Sequence, residues 1–166
     1  MHRYKQIEYK AGATIEIVKC IPRKYRGGKG TPRAKKTREE IQEANMRQAA
    51  RKLARKINAN FKPGDWHVTL TYKDKPTKEE AQEHIANFLD RMRDRYKRRG
   101  HPLKYVLVTE YKGRRIHHHV ILNNINDGKR TTADFVREIW KGRGNPKFVS
   151  LYDSGEYQQL ADYLIK

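Results

Sequence analysis

The segment Leu103–Asn123, LKYVLVTEYKGRRIHHHVILN, decides the fold. Two runs rich in β-branched and aromatic residues, Leu103 to Tyr111 and Ile116 to Asn123, flank a short basic connection containing Gly113. That composition predicts an antiparallel hairpin. If Gly113 and Arg114 form a two-residue turn, with glycine supplying positive φ, then Lys112 faces Arg115, Tyr111 faces Ile116 and Glu110 faces His117. Strand side chains alternate between faces, so His117 and His119 share one face roughly 7 Å apart while His118 takes the other. In this register Glu110 joins both imidazoles, whereas the alternative register turns it away.

Upstream, Trp66 to Tyr72 (WHVTLTY) alternates with period two and reads as a strand. Val68, Leu70 and Tyr72 share one face, and His67, Thr69 and Thr71 the other, a half-polar surface suited to a central strand. Thr77 and Glu80 form a capping box for a helix whose apolar stripe is Ala81, Ile85, Phe88, Leu89, Met92 and Tyr96. An equivalent box, Thr37 with Glu40, opens a helix to about Asn60 carrying Met46, Ala49, Ala50, Leu53 and Ile57 on one face. Residues 3 to 20 suggest a further hairpin turning at Gly12. Downstream, Thr131 or Thr132 caps a helix bearing Phe135, Val136, Ile139 and Trp140, and the run Gly142 to Pro146 breaks it. A last strand from Phe148 to Tyr152 and a final helix, capped by Ser154 and reaching Lys166, complete the chain. This order predicts an α+β fold: a central antiparallel sheet of about five strands, helices on one face and the other face open.

The length of 166 residues suits one domain over 1–166, with an N-terminal hairpin and basic arm over 1–37 and a core over 38–166. Lysine and arginine number 38 against 19 acids, a formal charge of +19 that attracts polyanions before any specific contact forms. Nucleic acid is therefore the expected partner. A single cysteine, Cys20, rules out an internal disulfide and fits a reducing, cytoplasmic compartment. No run approaches the roughly 20 apolar residues of a spanning helix, so no membrane role is expected. Between Pro22 and Thr37 the chain carries many bases and no acid, and Arg23, Lys24, Arg26, Lys35 and Lys36 around Tyr25 combine charge with a stacking surface for single strands. Arg114 in the hairpin connection joins this DNA-binding set.

One acid and two imidazoles on one face can converge on a cation. Such a set also suits non-haem iron oxygenases and does not by itself choose among Mg²⁺, Mn²⁺, Fe²⁺ and Zn²⁺. On a strongly basic chain, polarising a phosphodiester is the better-matched task. A second signal is Tyr163 with Lys166 in ADYLIK, one helical turn apart, where the tyrosine can attack phosphorus and the lysine can steady developing negative charge. The rival reading is a non-catalytic basic nucleic-acid-binding module in which the histidines are incidental.

At these motifs the chain resembles the HUH endonucleases, specifically the small single-tyrosine rolling-circle replication initiators (Rep) of plasmids and single-stranded DNA phages. Three motifs occur in the family's order: VTLTY (Val68 to Tyr72), the His-x-His strand (His117 to His119) and Tyr-x-x-Lys (Tyr163 to Lys166). The resemblance implies a ferredoxin-like or RRM-like HUH fold with its active site on the open sheet face. It implies Mn²⁺ or Mg²⁺ held by Glu110, His117 and His119, with Tyr163 as nucleophile and Lys166 as its catalytic companion. The implied reaction nicks and rejoins single-stranded DNA at a replication origin through a 5′-phosphotyrosine, in the cytoplasm of a bacterial host and in concert with the host replication machinery. One departure is the histidine at position 118, where the family carries a bulky apolar residue, so a register that enlists His118 as ligand stays open. Tyr157, six residues before Tyr163, falls nearly opposite it on a helix, which disfavours a two-tyrosine mechanism.

Overall fold

The computed structural model describes residues 4–22, 35–111, 115–152 and 157–165. Contacts divide the chain into two compact units, one of Met1–Ala59 with Gly155–Lys166 and the other of Asn60–Ser154.

In the first unit, strands β1 (Lys5–Ala11) and β2 (Thr14–Cys20) form an antiparallel hairpin with Ala11 opposite Thr14. Gly12 at its turn has φ +58°, and a Cβ there would stand 2.0 Å from the carbonyl oxygen of Asn58, so glycine is demanded by both backbone angle and space. Helix α1 (Arg38–Asn60) begins at the expected capping box: Thr37 N–H donates to Glu40 Oε2 (2.9 Å) and Glu40 N–H to Thr37 Oγ1 (3.2 Å). Arg55 of α1 ties the helix to the hairpin, lying 3.5 Å from the centre of the Tyr9 ring and donating to Glu16 Oε2 at 2.7 Å. That hydrogen bond is the main reason the Glu16 carboxyl titrates below its ordinary value, and burial opposes it. Helix α4 (Gln158–Ile165) buries Leu160, Ala161 and Leu164.

The second unit holds β3 (Trp66–Thr71), α2 (Lys78–Lys97), β4 (Tyr105–Glu110), β5 (His117–Leu122), α3 (Thr132–Trp140) and β6 (Pro146–Ser150). All neighbours are antiparallel and the sheet order is β4-β5-β3-β6. This is the ferredoxin-like βαββαβ arrangement, with β5 and β3 central. The sheet has four strands rather than about five, because β1 and β2 pair only with each other. The last strand spans Pro146–Ser150 rather than Phe148 to Tyr152. Proline, which cannot donate to a ladder, is accommodated as the first residue of an edge strand.

Helices α2 and α3 cover one sheet face. Val68, Leu70, Tyr72, Val120 and Leu122 from the strands meet Ala81, Ile85, Phe88, Met92 and Tyr96 of α2 and Phe135, Val136, Ile139 and Trp140 of α3. The Trp140 ring packs edge-on against Phe88 and His118, and its Nε1–H donates to the Thr71 carbonyl at 2.9 Å. Burial of each such side chain stabilises by about 1.5–3 kcal/mol. Asp65, itself buried, accepts from the N–H groups of Lys62 (2.9 Å) and Asn124 (2.7 Å), while its carbonyl accepts from Leu151 (2.8 Å). One carboxylate thereby pins the start of β3 to the chain leaving β5 and β6.

His118 sits in this core with no exposure. Its Nε2 lies 2.9 Å from the Tyr72 hydroxyl and its Nδ1 2.8 Å from the Thr109 hydroxyl, so the neutral ring is satisfied at both nitrogens. Burial, reinforced by neighbouring histidines, depresses its pKa from 6.5 to about 4. A depressed histidine pKa means that the folded state resists a proton the unfolded chain accepts. His118 thus contributes stability that is intact above pH 6.5 and lost as pH falls toward 4, up to about 3 kcal/mol. His118→Phe, which strands the Tyr72 and Thr109 hydroxyls, is expected to lower stability by about 1–3 kcal/mol at pH 7. The gap to wild type should narrow steadily toward pH 4 in denaturant titrations; a gap constant with pH would contradict this account.

Candidate metal centre

The sheet face opposite α2 and α3 presents Glu110 from β4, His117 and His119 from β5, and His67, Thr69 and Thr71 from β3. The ladder places Glu110 directly opposite His117, the register of a two-residue turn. Glu110 Oε2 lies 3.1 Å from His117 Nε2 and 3.9 Å from His119 Nε2, and one donor atom from each of the three residues falls within 4.8 Å of the others. Ligands around one cation at bond lengths near 2.1 Å stand roughly 3–3.5 Å apart, so small side-chain adjustments bring all three onto one ion.

The surroundings orient these donors. His117 Nδ1–H donates to the Arg115 carbonyl at 3.2 Å, which leaves the Nε2 lone pair facing Glu110. His119 Nδ1 lies 3.2 Å from His67 Nε2 and 3.4 Å from the Thr69 hydroxyl, so its Nε2 is again the nitrogen turned to the carboxylate. Both imidazoles engage the protein through Nδ1 and present Nε2, as metal-ligating histidines do. Burial, with His117 adding to it and Glu110 opposing it, holds the His119 pKa below its ordinary value. His67 is pushed down to about 4, by burial first and by His119 second. The His119 and His67 rings therefore stay neutral near pH 7, the form that binds metal. Among the described residues, this acid and two histidines are the group able to hold an ion. His118, on the opposite face, is spent on Tyr72 and Thr109 and is not part of the group.

Beside the centre, Thr71 pairs with His117 across the ladder, and its hydroxyl donates to the Asn145 carbonyl at 2.9 Å. Lys73, Arg115, Gly144 and Asn145 line an open cavity of about 430 Å³ at this end of the sheet, two cations with no acid among its walls. A Cβ on Gly144 would stand 2.0 Å from the Thr71 carbonyl oxygen, so only glycine lets the α3–β6 loop lie against β3 here. No residue of this loop stands out in the sequence, where Gly142 to Pro146 reads only as a helix stop.

Tyr163 lies on α4 in the first unit and is 53% exposed, whereas Tyr157 is fully buried and its N–H donates to Asn58 Oδ1 at 3.2 Å. Lys35 and Lys36 are exposed just before α1. Arg23, Lys24, Tyr25, Arg26, Arg114, Ser154 and Lys166 lie outside the described residues. No described helix is long and apolar enough to cross a membrane.

A family model described as replication-associated protein, ORF2 type, matches residues 65–166, a span that begins at β3 and takes in the whole acid–histidine group and α4. No curated protein and no solved structure matches the chain.

Calorimetric titration with Mn²⁺ checks the centre directly. Glu110→Ala or His119→Ala should weaken binding by more than ~100-fold, and His67→Ala, which removes only the group behind His119, by about 10- to 100-fold. Equal affinity across wild type and all three variants would remove the centre.

Proposed function

The chain belongs to the ORF2-type family of replication-associated proteins, and on that premise we propose that it initiates DNA replication by nicking single-stranded DNA through a covalent tyrosine intermediate. The observation that carries this reading is the convergence of Glu110 with the Nε2 atoms of His117 and His119 on the sheet face away from α2 and α3. A divalent cation held there, Mn²⁺ or Mg²⁺, would withdraw charge from the non-bridging oxygens of a bound phosphodiester.

The protein's own part is nucleophilic. Tyr163 Oη attacks phosphorus, the P–O3′ bond breaks, and the phenolic proton is released as the phosphotyrosine ester forms. The released strand keeps a 3′-hydroxyl that a polymerase can extend, and attack by such a hydroxyl on the ester restores the phosphodiester and the phenol. The ester conserves the energy of the original bond, so resealing needs no nucleotide triphosphate, in keeping with the lack of a Gly-rich Walker motif in the sequence. Exposure favours Tyr163 over Tyr157 as the attacking group, since a buried phenol cannot reach a polymer backbone. Lys166 is the companion cation in this reading. The +19 charge supplies affinity for the strand, with Arg23, Lys24, Tyr25, Arg26, Lys35, Lys36 and Arg114 as its holding set.

The competing reading, a binding module without catalysis, predicts the same salt dependence but no covalent product. Incubated with Mn²⁺ and an origin-type single strand, wild type should yield a protein–DNA adduct stable on denaturing gels. Tyr163→Phe should abolish it, Tyr157→Phe should retain it, and Glu110→Ala should reduce its rate by at least ~100-fold. Adduct formation by Tyr163→Phe at the wild-type level would refute the nucleophile.

A further inference from the structure

A second cavity, of about 340 Å³, shares Tyr72 and Gly142 with the basic one and is lined in addition by Asp74, Glu80, His84 and Arg143. Its chemistry differs. The basic cavity offers cations alone, which suits a phosphate, whereas this one balances cations with carboxylates, which suits a polar but uncharged group.

Two of its lining residues carry buried nitrogens with no protein partner, Nε of Arg143 and Nδ1 of His84. Leaving a buried donor unpaired is unfavourable, and such groups concentrate where a ligand completes them. Arg143 is positioned by its backbone: its N–H donates to the Trp140 carbonyl (3.1 Å) and its own carbonyl accepts from Lys73 N–H (2.8 Å). Its Nη1 reaches the Ile139 carbonyl at 3.5 Å, so the side of the guanidinium fork bearing Nε is left for an incoming group. Gly142, at φ +88°, makes the turn that delivers it. Glu80 is held by the Thr77 N–H at 2.8 Å through Oε2, which leaves its second oxygen as an acceptor at the cavity.

We propose that this cavity reads one unpaired guanine next to the phosphodiester that is cut, with Arg143 as the specificity-determining residue and His84 as its companion. The proposal rests on the nicking reading above for its substrate. Guanine presents two adjacent acceptors, O6 and N7, to a guanidinium fork, and its N1–H and N2–H₂ donors to a carboxylate. Adenine puts a donor where O6 would be, and a pyrimidine lacks the O6/N7 pair. The neighbouring basic cavity takes the adjoining backbone phosphate through Lys73 and Arg115, close to the strand pair Thr71 and His117.

The test uses the full chain and binding rather than cleavage. Selection from a randomised single-stranded DNA pool by wild type should enrich guanine at one position. Replacing that base with 7-deazaguanine, which lacks only the N7 acceptor, should weaken binding by about tenfold. Arg143→Lys keeps the charge but loses the fork, and His84→Ala removes the companion donor. Both should lose the guanine preference, and in Arg143→Lys the deaza substitution should make no difference. Absence of an enriched guanine, or an equal deaza effect in wild type and Arg143→Lys, overturns the pocket. A protein that selects guanine through Arg143 yet forms no adduct with any divalent metal keeps the pocket and loses the nicking reading. One that cuts without base preference does the reverse.

Discussion

The register of a single hairpin carries everything else. Because Glu110 pairs with His117, one strand parity sends His117 and His119 to the face with the carboxylate and sends His118 into the core. A slip of one residue would exchange those faces at once. The imidazole now satisfied by Tyr72 and Thr109 would leave its partners, and the acid would lose both of its neighbours. The buried polar trio therefore does more than fill volume. It ties the correct pairing of β4 and β5 to the packing of Trp140 and Tyr72 beneath them, so the core enforces the geometry of the surface above it.

This division of labour between the faces explains why three consecutive histidines have unlike properties. His118 and His67 are both pushed down to about 4 with burial as the leading cause, yet one is locked into hydroxyl contacts while the other stands behind His119. His117, by contrast, is anchored by a backbone carbonyl and faces outward. Identical side chains become core, support or ligand through position alone.

Much of this is legible in the sequence because it is local. Glycine in the short basic connection suggests the turn length, period-two alternation assigns faces, and Thr–x–x–Glu boxes locate the starts of α1 and α2 to the residue. The acid–histidine grouping follows from parity and one turn. What stays hidden is non-local. Alternation cannot say which strand is a neighbour, so the N-terminal hairpin reads as part of a sheet it does not join. Likewise Gly142 to Pro146 shows only that a helix stops. That Gly144 lies flush against Thr71, and that Arg143 and His84 line one cavity with unpaired nitrogens, depend on α2, β3 and the α3–β6 loop meeting in space. Nor does position 84, a histidine on an otherwise charged helix face, stand out until its surroundings are known.

The close approach of Gly144 to Thr71 bears on how this protein can be altered. With no room for even one methyl group against that carbonyl, the loop cannot drift sideways to accommodate a differently shaped partner. Diversification aimed at new sequence preference therefore has its useful freedom in the side chains at positions 74, 80, 84 and 143. A library that randomised 144 would consist largely of misfolded members. Change of target in this lineage is expected to proceed by exchanging side chains on a rigid loop rather than by remodelling the loop itself.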